Sequence, residues 1–189
     1  SASKKTPELS DMVVKKVALI SIDGESTARG VVEISLVNQL VKHGSFELFS
    51  KQDVDAARLH HAQDTMDWKG IAKRAGADYA LKANVLQFDG DVREGYSSEE
   101  VEDSEMAAER GEEHRMVKRQ FKVKSLTGKV RVQLDFVRLD NDDLRSGVAE
   151  HEDVVVSEAR TKAAQLPPRL RFLEGVANEA FRKFFEQYQ

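Results

Sequence analysis

The chain has 189 residues, 40% hydrophobic and 33% charged, with a formal net charge of −4 and no cysteine. A balance this acidic lacks the basic footprint of a general nucleic-acid binder, and the missing thiols exclude disulfides, thiolate catalysis and cysteine-type zinc sites. The length suits one domain with a self-sufficient core, and no run of about 18 apolar residues is present to span a bilayer as a helix.

The start, "SASKKTPELSDM" (residues 1–12), is polar and has no apolar leader stretch, so it reads as a tail or linker. A single domain is expected over 13–189. "VVKKVALISID" (13–23) carries a short, nearly continuous apolar run that ends at Asp23-Gly24, which suits a buried central strand. In "ESTARGVVEISLVNQLVKHG" (25–44), Ser26 or Thr27 is placed to cap a helix. Val32, Leu36 and Leu40 make its stripe, Ile34, Val37 and Val41 widen it, and Gly44 stops it. "SFELFSKQ" (45–52) alternates as a short strand. Asp53 then begins two helical pieces, roughly 53–63 and 65–75, with Thr65 a second cap and Gly76 the end. "AGADYALKANVLQFDG" (75–90) follows. Tyr79, Leu81, Ala83 and Val85 fall on one strand face, and Lys82 and Asn84 on the other.

The chain then changes character. "REGYSSEEVEDSEMAAERGEEHR" (93–115) is crowded with Glu and Asp, so 93–116 reads as an acidic, solvated insertion. Strands return in "VKRQFKVKSL" (117–126) and "GKVRVQLDFVRL" (128–139), read as a pair. "DNDD" (140–143) turns, and "SGVAEHEDVVVSEA" (146–159) is a third strand whose poorer alternation places it near an edge. Pro167 and Pro168 precede a closing amphipathic helix with Leu170, Leu173, Ala177, Phe181, Phe184 and Tyr188 on one face. The order gives an α/β (α+β) fold: a mixed sheet of about five to six strands with helices packed on it and an acidic insertion between strands.

Four phrases in this order resemble one family of envelope proteins. They are "VALISIDGES", "LVNQLVKHGSFELFSKQDVDAAR", "AGADYALKANVLQF" and "VRVQLDFVRLDNDDLRSGVAEHE" followed by the terminal helix. The family comprises the curli-secretion channel subunit, the outer-membrane activator lipoproteins of penicillin-binding proteins, and the amino-terminal domain of TolB. In it a Gly-Ala-Asp-Tyr phrase, here Gly76, Ala77, Asp78 and Tyr79, enters the central strand. The resemblance covers about 13–189 apart from the insertion. It implies residence in the periplasm or at the outer membrane, a possible lipid anchor upstream, and a role in assembly or regulation without catalysis. The lipid-bearing Cys of such lipoproteins is absent from these residues. The insertion is acidic, where a membrane-spanning hairpin needs alternating lipid-facing residues, so no pore is expected.

Two charged sets are the candidate partner-binding residues. One is an acidic arm of Glu99, Glu100, Glu102, Asp103, Glu105, Glu109, Glu112 and Glu113. The other is a basic face of Lys118, Lys122, Lys124, Lys129 and Arg131, which share a side if the two strands pair; it would meet an acidic partner or hold the arm in cis. The plainer reading of both is solvated charge. His60 and His61 are adjacent and so diverge on a helix. With Asp64 and Asp67 they lack the i, i+4 pair of a metal helix. His151 and Asp153 share a strand face and read as a polar edge pair. Asp140 and Asp142 recur as in a calcium loop, but Arg145 and His151 stand where Gly and Glu are required. Phosphate-loop, dinucleotide and nucleophile-elbow patterns are missing. The expectation is a non-enzymatic envelope protein, without cofactor or metal, that binds or positions a protein partner. The alternatives are a self-assembling subunit of a secretion or envelope complex, and a small-molecule-binding domain.

Overall fold

The apolar run before Gly24 becomes an interior strand, β1 (Lys15–Asp23), with Val17 and Ala18 fully buried on opposite faces. The computed structural model describes residues 15–44, 46–49, 51–60, 67–102, 116–159 and 165–187. After β1 come α1 (Ser26–His43), β2 (Phe46–Leu48), α2 (Lys51–His60), α3 (Trp68–Ala75), β3 (Tyr79–Glu102), β4 (Met116–Arg138), β5 (Leu144–Ala159) and α4 (Arg169–Glu186). The sheet order is β2-β1-β3-β4-β5. β1 pairs in parallel with β2 and β3, while β4 is antiparallel to both β3 and β5. Among the described residues the fold is therefore a mixed five-stranded sheet with four helices.

The helices divide between the two faces. On one, α1 and α4 bury Val32, Leu36, Leu40, Leu173, Ala177 and Phe181 against Leu81, Val130, Val132 and Leu134. On the other, α2 and α3 cover Ala18, Ile20 and Ala80 with Val54, Ala57, Ile71 and Ala72. Each full burial of a Val, Leu or Phe is worth about 1.5–3 kcal/mol, so the alternation at 79–85 serves two cores at once. The bend from α3 into β3 needs the left-handed Gly76, whose N–H bonds back to the last helical turn.

Several local expectations change. The cap of α1 is Glu25, whose carboxylate accepts from the N–H groups of Thr27 at 3.1 Å and Ala28 at 3.2 Å. Those bonds hold its carboxyl below the usual carboxylate range. Ser26 and Thr27 lie inside the helix. Ile34 and Val41 are exposed, so the buried stripe is narrower than the hydrophobic pattern implies. The strand expected at 45–52 is only β2, and α2 begins at Lys51, which puts Asp53 in its first turn. Asp67 caps α3 through a 2.9 Å bond from the Gly70 N–H; Thr65 lies outside the described residues.

The largest difference concerns the two strands expected at 117–126 and 128–139. They are one strand, β4, running unbroken from Met116 to Arg138. No turn forms near Gly128 because that residue is held under α4. A Cβ there would lie 2.8 Å from Phe172 Cε1 and 3.1 Å from Leu173 Cδ2. Its cross-strand partner is Gly90, where a Cβ would meet Leu173 Cδ1 at 3.3 Å. Two side-chain-free positions opposite one another make a notch that admits the first turns of α4.

Candidate partner-binding surface

Residues 93–102, expected to leave the sheet, continue β3. They pair with β4 from Arg93↔Ser125 to Glu102↔Met116. Among the described residues, pairing with the third strand reaches only to Lys122↔Ala159. Beyond that rung, 97–102 and 116–121 form a two-stranded ribbon that extends past β5 and is joined through 103–115. A two-stranded ribbon is marginal without a supporting face, so its charges matter. Directly across the ladder stand Glu94 and Lys124, Glu99 and Arg119, and Glu100 and Lys118. Opposite charges facing one another in a sheet stabilise it by about 0.2–1 kcal/mol relative to alanine pairs. Local composition argues for a solvated loop, but cross-strand charge matching makes a strand instead.

Glu94 is the best-defined member. Its carboxylate lies 3.3 Å from Lys124 Nζ and 3.5 Å from Lys122 Nζ. Lys124 first, then Lys122, hold its carboxyl below the usual glutamate range. The sequence pattern placed Glu94 within the insertion but did not mark it as a site. The signal was present as an acid and a lysine, Lys124, equidistant from the centre of 103–115, with Lys122 two residues nearer.

The basic set does not share a face. Because β4 is continuous, Lys118, Lys122 and Lys124 have the parity of Leu126 and Val130, the side that α4 covers. Lys129 and Arg131 have the other parity. They pair with β5 acids instead: Lys129 with Glu152 at 3.7 Å, and Arg131 with Glu150 at 3.0 Å. The expected basic stripe is thus two separate groups, each matched by acids on a neighbouring strand. Of the acidic set, Glu99, Glu100 and Glu102 lie on β3, while Asp103, Glu105, Glu109, Glu112 and Glu113 are outside the described residues.

Other candidates resolve into ordinary contacts. Asp140 pairs with Arg138, Asp142 with Lys69 and Asp143 with Arg145, which leaves the 140–143 turn without the convergent acids of a calcium loop. His61 and Asp64 lie outside the described residues, and among those described no group of three His, Asp or Glu side chains is set to hold a metal ion. At the end of β1, where a phosphate-binding helix start would present free N–H groups, the Glu25 carboxylate already occupies that position. One open groove of about 1060 Å³ lies between α1, α2 and the free side of β1. There the Arg58 guanidinium donates to the Ile20 carbonyl at 2.8 Å. Among the described residues, no helix is long and apolar enough to cross a membrane.

No protein-family model matches the chain, and no curated protein matches it. Among solved structures, the chain is similar to the C-terminal domain of LpoB from Salmonella enterica, with a TM-score of 0.38 and 14% identity, over 72% of this chain and 82% of that one. Lipoprotein GNA1162 from Neisseria meningitidis gives a TM-score of 0.46 and 9% identity, over 91% and 99%. A PelC dodecamer from Paraburkholderia phytofirmans gives 0.38 and 12%, over 89% and 85%. These neighbours include lipoproteins, the group that the sequence resembles. At such identities and scores they assign no role to any residue here.

Proposed function

We propose that the protein is a non-catalytic component of a bacterial cell envelope, in the periplasm or at the outer membrane, which binds and positions a protein partner during assembly or regulation. The observation that carries this reading is the ribbon of β3 and β4 beyond Lys122. It has charge on both faces and is joined by a segment that holds Asp103, Glu105, Glu109, Glu112 and Glu113. Among the described residues, neither helix-covered core cluster includes a ribbon residue and Phe121 is the ribbon's one buried hydrophobic side chain, so folding alone gives little reason to keep it. A charged arm on a rigid sheet suits recognition, because the scaffold fixes where the arm points. The acids at its end suit a basic partner surface, which they would steer at long range. The sequence resemblance supports the envelope setting.

The test replaces residues 98–120 with an Asn-Gly turn, which keeps the ladder from Ser97↔Phe121 downward. Intact and shortened chains are compared in crosslinking and pull-down from an envelope fraction. One protein recovered with the intact chain and lost with the shortened one is the expected result. Equal recovery with both dismisses the arm as the contact.

A further inference from the structure

β5 is the last strand in the sheet order, and from the segment after it the Gln165 N–H donates to Ser157 Oγ at 2.9 Å. All 16 residues from Leu144 to Ala159 pair with β4 on one side, and among the described residues no strand lies on the other. Natural sheets usually blunt so long an edge. Here Asp153 accepts from the Val154 N–H at 2.8 Å, which occupies one donor. On the sheet face away from α4, Val148, Val154 and Val156 are 41%, 51% and 53% exposed.

The charges on that face run in rows across the strands. One row is Asp89, Lys129 and Glu152; the next is Gln87, Arg131 and Glu150. Both rows end at the open edge on an acid that follows a cation. The next place in each row would lie about 5 Å away in an added strand. A cation there continues the alternation, and an acid opposes it. The Val154 and Val156 rows ask for apolar neighbours in the same way.

We propose that the β5 edge takes up an extended segment of a partner protein as a sixth strand. The segment carries two basic residues, two positions apart, beside Glu150 and Glu152, and apolar residues beside Val154 and Val156. Main-chain bonds supply the attachment, and the alternate side chains supply the choice. A second copy of this chain is a poorer occupant. Antiparallel pairing centred on His151 sets Glu150 of one copy against Glu152 of the other. This surface is separate from the ribbon, so it stands or falls independently of the arm.

The test titrates the whole chain with an end-blocked peptide of Val and Thr that holds two lysines two residues apart. Two controls replace the lysines with Glu, or N-methylate alternate residues so that charge stays and strand donors go. The lysine peptide is expected to bind on the order of ten-fold tighter than the Glu peptide, and the N-methylated one to bind no better than the Glu peptide. Glu150→Lys with Glu152→Lys should invert the preference, and Glu150→Gln with Glu152→Gln should bring the ratio toward one. The chain with 98–120 replaced should bind as the intact one does. Equal binding of the N-methylated peptide, or a ratio untouched by both double substitutions, overturns the proposal. So does sedimentation showing that the chain self-associates through β5 and is dispersed by the lysine substitutions.

Discussion

Gly128→Ala tests how α4 is seated on the sheet. The new Cβ would lie 2.8 Å from Phe172 Cε1 and 3.1 Å from Leu173 Cδ2. Leu173 is fully buried, so it cannot retreat without moving α4. Loss of glycine's freedom in the unfolded chain favours the alanine by about 0.4–1 kcal/mol. Overpacking a filled site costs about 1–3 kcal/mol. The clash therefore wins, and a net loss of about 1–2 kcal/mol is expected. Urea unfolding should show this as a lower midpoint with an unchanged slope. Thermal melting should fall by about 2–4 °C per kcal/mol for a chain of this size. Gly95→Ala is the internal control, because nothing lies within 4 Å of its would-be Cβ. It should be neutral or stabilise by about 0.5 kcal/mol. Adding Phe172→Ala to Gly128→Ala should recover part of the loss as a positive coupling. Gly128→Ala at or above wild-type stability, or Gly95→Ala losing as much, would refute the notch.

The Glu94 carboxyl is held below its ordinary value of 4.5 by Lys124 and Lys122, so its contribution is complete above that pH and lost as pH falls through the lower folded value. Protection of the 93–97 and 121–125 amides, taken as the intrinsic exchange rate at each pH over the observed one, should therefore fall below pH 4.5, and Glu94→Gln should flatten that step; identical profiles would discount the contact. His43 packs against the rings of Phe46 and Phe185, at 5.4 and 6.0 Å between centroids, with both nitrogens buried and, among the described residues, unbonded. His43→Phe should then be neutral or stabilise by up to about 1 kcal/mol, and a clear loss in urea unfolding would mean the imidazole has a partner. If charge matching holds the ribbon together, trypsin cleavage between 97 and 121 should rise with salt as the screening length drops from about 10 Å at 0.1 M to about 3 Å at 1 M. Cleavage indifferent to salt counts against it.

Local sequence suffices for the elements that bury a face. The alternation at Tyr79–Val85, the apolar run in β1, the stripe of Val32, Leu36 and Leu40 and the closing helix around Phe181 are all local patterns, and each forms as its period requires. The edge position of 146–159 was also readable, from its weak alternation. How far the strands run and which way their charges face depends on contacts between distant segments. Residues 93–102 have too little apolar content to form a strand alone, and they become one because residues 116–125 lie opposite with matching charge. The five basic residues divide between two faces because Gly128, pinned beneath Phe172 and Leu173, lets β4 pass straight through where the local sequence reads as a turn. Period is written in neighbouring residues, but register and strand length are set by partners distant along the chain, and those come into view only once the sheet has formed.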